Sequence, residues 1–238
     1  MSTYYNETQA NEGAPSSRTR LRRLKERGRH DRATIDAILD EGFVCHLGFT
    51  DVRGPVVIPT AYARDGDLLY LHGAAGNAAL QALRTGSPVC VTVTLVDGLV
   101  LARSAFHHSV NYRSVVVFGT AEEVVDPAEK HRALAAIVEH IVPGRGADAR
   151  PVTDLELRVT RVVRLSLDEA SAKVRTGGPK DDPEDMDLPV WAGEIPLRLQ
   201  AGPPVADPSA PAQAGPPAYV TGYRRGGPDP MLPGSATD

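Results

Sequence analysis

The chain has 238 residues, a formal net charge of −4, and 42% hydrophobic against 24% charged residues, the balance of a globular protein with room for one large domain or two small ones. No run approaches the ~20 apolar residues of a membrane span, the N-terminus lacks the apolar segment of a secretory signal, and the acidic balance argues against whole-surface attraction to nucleic acid. The expectations are a cytoplasmic location, no membrane and no nucleic acid, with a core built of aliphatic side chains because only 5% of residues are aromatic.

Residues 1–17 are polar and aperiodic and are expected to be disordered. The segment 18–29, RTRLRRLKERGR, carries seven basic residues against the single acid Glu26 and reads as an arm folding over an acidic or polar patch of its own domain or of a partner subunit. Asp31 is a plausible N-cap, since Ile35, Ile38 and Leu39 follow at helical spacing before Gly42. Residues 43–49 and 56–62 read as a hairpin across DVRG, and 68–72 as a third strand after RDGD. A small-residue loop at 73–77 leads into a short helix over 78–83. Strands are expected at 89–96 and 113–123. Asp126 should cap a helix whose apolar face is Ala133, Leu134, Ile137, Val138 and Ile141, stopping at Pro143-Gly144. Residues 155–167 alternate as a last strand. The nine Pro and six Gly of 201–238 mark a disordered tail after a domain spanning 18–200. Cys45 and Cys90 lie in apolar strand-like segments without a CxxC partner and read as buried thiols. Six strands joined mostly by hairpins, with a few short helices, give a mainly β (α+β) fold, a small closed or split antiparallel barrel.

The densest polar segment lies between two strand-like stretches, with His107, His108, Ser109, Asn111, Tyr112, Arg113 and Ser114 within eight positions. Imidazole, hydroxyl, amide, phenol and guanidinium groups held by flanking strands suit a flat heteroaromatic ligand with an anionic tail. A structural turn whose side chains satisfy backbone groups fits the same residues.

Five collinear segments, ERGRHDRATI (26–35), CHLGF (45–49), PVVIPTAYARDGDLLYLHG (55–73), VCVTVTLVDGLVLARSAFHHSVNYRSVVVFG (89–119) and SAKVRTG (171–177), resemble the flavin-nucleotide-binding branch of the pyridoxamine 5'-phosphate oxidase-like split barrels, which includes nitroimidazole-resistance-like proteins. The resemblance implies a six-stranded split β-barrel, homodimeric, holding FMN between subunits. It implies that Val57, Ile58, Pro59 and Thr60 run beside the isoalloxazine ring. Tyr70, His72 and Gly73, with Ala75 and Asn77 of the following loop, would approach the ribityl phosphate. Ser109, Asn111, Tyr112, Arg113 and Ser114 would close over the cofactor. The loop departs from the family's Ser-Arg-Lys type phosphate clamp: AAGNAA has no cation, so His72, Arg113, Lys173 or Arg175 would have to meet the phosphate charge.

The function expected is an FMN-dependent oxidoreductase acting on a small molecule, in which the flavin carries the chemistry and His107 or His108 is the candidate proton donor. Two alternatives accompany it: a non-catalytic flavin carrier or sensor, and a heme-binding split barrel using His46, His72, His107 or His108.

Overall fold

The computed structural model describes residues 13–83, 86–209 and 215–225, which divide into two units after Arg198. In the first unit the basic arm turns back on its own domain. The Arg18 guanidinium lies 4.3 Å over the Phe118 ring and 3.8 Å from Glu169, and Gly28–Arg29 adds a short strand, β1.

Asp31 caps α1 (Arg32–Glu41) by accepting from the Thr34 amide, and Ile35, Ile38 and Leu39 form its buried face as the spacing predicts. Then β2 (Val44–Asp51), β3 (Gly54–Asp65) and β4 (Leu68–Ala74) form an antiparallel meander. Gly66, at φ +56°, makes the tight turn between the last two. Helix α2 (Ala78–Leu83) leads to β5 (Pro88–Leu101) and β6 (Ser109–Thr120), joined by a turn and followed by the two-residue β7 (Glu122–Glu123). Asp126 caps α3 (Pro127–Ile141), after which come the short α4 (Arg145–Asp148) and α5 (Asp154–Val159). The unit closes with β8 (Thr160–Ser166), β9 (Ala170–Arg175) and β10 (Gly193–Pro196).

The strands run in the order β1-β9-β6-β5-β2-β3-β4-β8-β7, with β10 pairing β5, and every pair is antiparallel. Strand β3 is shared: its first part pairs with β2 and its end with β4, so one strand belongs to both halves of the split barrel. The interior is aliphatic, with Leu47, Leu69, Leu71, Val91, Val93, Val115 and Leu165 at its centre and α1 closing it. A second cluster fills the opposite face of β3, β4 and β8, where Ala63, Tyr70 and Val162 meet Ala133, Leu134 and Ile137 of α3.

The mainly β class holds, but with ten strands among the described residues rather than six. Three of the extra strands, β1, β7 and β10, have two to four residues and form only because an edge is there to pair with. The strand expected over 155–167 begins as helix. Thr153 and Glu156 form a reciprocal capping box that commits 154–159 to α5, and pairing with β4 starts only at Thr160. Strand β5 continues to Leu101 because β10 and β6 both pair with its far end. Strand β6 starts at Ser109 and ends at Thr120, not at 113 and 123. Cys45 is buried, which pushes its thiol up to about 12, and Cys90 is half-buried.

The second unit, described over 199–209 and 215–225, holds no strand among those residues and one short helix, α6 (Ala218–Thr221). The disorder expected for 201–238 falls partly on 210–214 and 226–238, and that expected for 1–17 falls on 1–12; both stretches lie outside the described residues. Among the described residues no helix is long and apolar enough to cross a membrane.

Candidate functional site

The residues nominated from the sequence divide among three surfaces, and strand alternation decides which. Register places His46 opposite Pro59 and Thr92, Thr92 opposite Val116, Thr94 opposite Ser114, and Ser114 opposite Lys173. These residues therefore share the face of the large sheet that points away from the core, together with Val57, Tyr112 and the backbone position of Arg175. That face is apolar and open: Val44, Val57 and Val96 are 43%, 65% and 49% exposed. Ile58, Thr60, Asn111 and Arg113 alternate to the other side, and Ile58 packs against the core.

Between β5 and β6 the two histidines sit at the end of a 3-10 turn (Ala105–His107), not on a strand. His107 Nε2 is 3.0 Å from Asp182, whose carboxylate raises the imidazole pKa above its ordinary value. His108 Nδ1 lies 2.9 Å from the Ser104 carbonyl and donates to it. Ser114 Oγ makes only a long bond to the Lys173 carbonyl, at 3.4 Å. Arg113 is committed within the chain, to Glu41 (2.5 and 2.8 Å) and to Asp97 (2.7 and 2.9 Å), two carboxylates that neutralise the charge expected to meet a phosphate. Arg175 is buried and turns back to the Asn111 side-chain carbonyl and to the carbonyls of Gly177 and Gly178, while Asn111 donates to Glu194 at 2.5 Å. Lys173 makes no ion pair among the described residues.

On β4 successive residues face opposite ways. Gly73 points toward α2, where a Cβ would come within 2.9 Å of Leu80 Cδ1 and 3.2 Å of Asn77 Nδ2, so a larger residue would require those side chains to shift. The loop amides expected to reach a phosphate are partly in use: Ala75 N–H donates to the Val159 carbonyl and Asn77 N–H to that of Ala74, both at 2.9 Å. Asn77 Oδ1 in turn accepts from the Ala79 amide and starts α2. Near this end of the barrel lies a cation not foreseen from the sequence. Arg161, opposite Gly73 in register, pairs with Glu123 at 3.0 Å through Nε, while its Nη1 is buried without a hydrogen-bond partner. Its strand alternation was readable, but the helical start of 154–159 hid its register.

Tyr70 and His72 face the other way, under α3. The Tyr70 hydroxyl donates to Glu129 at 3.0 Å; burial, then that carboxylate, raises its pKa. His72 borders a cleft of about 560 Å³ between β4 and the helices α3 to α5. Leu134, Ile137, Val138 and Val152 line it with apolar side chains, and Arg145, Asp148, Arg150 and Glu156 line it with charged ones. His72 Nδ1 is buried and makes no hydrogen bond, and burial lowers the pKa of the ring by disfavouring its charged form. The helical face of Leu134, Ile137 and Val138 was legible, but as core packing. That it also walls a cleft depends on where α4 and α5 lie.

Residues 31–174 match the family profile of pyridoxamine 5'-phosphate oxidase. Among solved structures the chain is similar to the flavocytochrome Anf3 from Azotobacter vinelandii, with 42% identity over 90% of this chain and 99% of that one, at a TM-score of 0.85. It is similar also to the FAD and heme binding protein from Mycobacterium smegmatis, with 36% identity over 82% of this chain and 96% of that one, at a TM-score of 0.79. A protein named for 5-nitroimidazole antibiotic resistance, from Bacteroides thetaiotaomicron, shares 28% identity over 62% of this chain and 86% of its own, at a TM-score of 0.53. No curated protein sequence matches.

Proposed function

This chain belongs to the pyridoxamine 5'-phosphate oxidase family, in a flavin-binding branch, and we propose that it is a flavocytochrome: a flavin-dependent oxidoreductase that also carries heme. The observation that carries the reading is the match along nearly the whole of both chains to a flavocytochrome, joined by a cleft bordered by His72. A bound flavin supplies two-electron exchange with an organic donor and one-electron exchange with a metal centre.

What this chain's residues contribute is binding and orientation. The outward backbone of β3 and β6 offers a flat platform, and Tyr112, Ser114 and Lys173 bring phenol, hydroxyl and ammonium groups to the same face. Because that face is apolar and exposed, a second copy of the chain seated on it would cover Val44, Val57 and Val96 and exclude water from the ring, which is the homodimer expected from the family. His107, held by Asp182 with a raised pKa, is the candidate proton donor. The loop at 74–78 favours FAD over the FMN first expected. A terminal phosphate needs a dense clamp, and here the clamp cations are missing and two amides are in use. Chromatography of the nucleotide released by heating identifies it.

Anaerobic addition of NADH, NADPH or reduced deazaflavin tests the oxidoreductase reading. Bleaching of the flavin band by one donor, with recovery on admitting air, supports it. A flavin band that no donor bleaches, in protein that dithionite reduces, replaces the enzyme with a carrier or sensor.

A further inference from the structure

We infer that the heme of this flavocytochrome sits in the cleft between β4 and α3 to α5, with His72 as its axial ligand. The inference rests on the flavocytochrome reading and adds where, and by which residue, the heme is held.

Four observations converge on it. His72 borders the cleft, and imidazole is a common axial ligand of heme iron; its Nδ1 is buried against the protein without a hydrogen bond. His72 is the histidine that borders this cleft among the described residues, whereas His107, His108 and His140 are bonded to Asp182, Ser104 and Gly42, and His46 lies exposed on the outward sheet face. The cleft volume of about 560 Å³ lies within the range of ~300–1,000 Å³ usual for cofactor sites. Its lining combines the aliphatic Leu134, Ile137, Val138 and Val152 with the guanidinium groups of Arg145 and Arg150 beside Asp148 and Glu156, and the two arginines suit the two carboxylates of an otherwise apolar macrocycle. Arg150 is held by Glu156 in a pair that is largely solvent-exposed, and such a surface pair exchanges its carboxylate at little cost.

Gly73, the residue after His72, points to the opposite side of the same strand. One β-strand thus separates the heme seat from the α2 loop assigned to the flavin.

The test compares wild-type protein with His72→Ala and His72→Met, each produced with heme precursor and each titrated with hemin. Heme per protein is read by pyridine hemochromogen, and flavin per protein by release. The inference predicts that His72→Ala loses at least about tenfold in bound heme, keeps its flavin, and regains a Soret band when imidazole is supplied with hemin. It predicts that His72→Met shifts the Soret band, which also decides the matter should the alanine variant fail to fold. If both variants bind heme with wild-type stoichiometry and spectrum, His72 is not the ligand, although the flavocytochrome reading stands. If wild-type protein binds flavin but takes up no hemin, the heme reading itself fails and the inference with it.

Discussion

Arg113 shows how a residue's type and its role part company. Set in a polar segment between two strands, it reads as an anion-binding cation; in the fold it bridges Glu41 at the end of α1 to Asp97 at the bulge of β5. Replacing it with alanine leaves two carboxylates facing each other on a half-buried surface. The expected result is a loss of about 1–3 kcal/mol in urea unfolding, the cost of unmaking hydrogen bonds to a charged group, with flavin affinity changed far less. Loss of flavin binding without loss of stability would return Arg113 to the cofactor. Tyr62 gives a second prediction at this scale. Its buried hydroxyl donates to the Leu39 carbonyl at 2.6 Å and ties α1 to β3, so Tyr62→Phe should cost about 1–3 kcal/mol by orphaning that group. For His107 the sign follows from its raised pKa. The contact with Asp182 stabilises the turn fully below the ordinary histidine pKa of about 6.5 and is lost as pH rises through the elevated value. An NMR titration should find the His107 midpoint above that of a free imidazole, and Asp182→Asn should bring it back; equal midpoints in the two proteins would remove the pairing.

Elements whose stability is local were the legible ones. Asp31 and Asp126 as N-caps, the apolar faces of α1 and α3, and the turns DVRG and RDGD all appear where the sequence puts them, because each depends on residues within a few positions. The misread segment, 155–167, shows a competition between two local signals. Its alternation favoured a strand, but Thr153 and Glu156 spell a capping box that fixes the first turn as helix, a signal available in the sequence and outweighed there by periodicity. Thr153→Ala should therefore destabilise α5 by about 1 kcal/mol and, since α5 walls the cleft, loosen heme more than flavin. Thermal melts with each cofactor's release monitored separately would show it; simultaneous release would detach α5 from the heme seat. The edge strands β1, β7 and β10 could not be read from sequence, since partners distant in the chain create them.

For the molecule as a whole, the split barrel sorts its chemistry by face. Alternation along β2, β3, β5, β6 and β9 collects one outward surface with exposed aliphatics and scattered polar groups, while β4 sends Gly73 to one side and His72 to the other. The sequence resemblance carried the family and the barrel, and with them the outward platform. It could not carry the cleft, because α4 and α5 lie far from His72 in sequence and meet it only through packing. A flavocytochrome needs both faces, and the absorbance spectrum of the protein as purified tests that claim most directly. The account predicts the two-band absorption of a bound flavin together with a sharp Soret band, each cofactor near one per chain. A flavin spectrum that gains no Soret band on adding hemin would contradict it, leaving a flavoprotein with an unexplained histidine cleft.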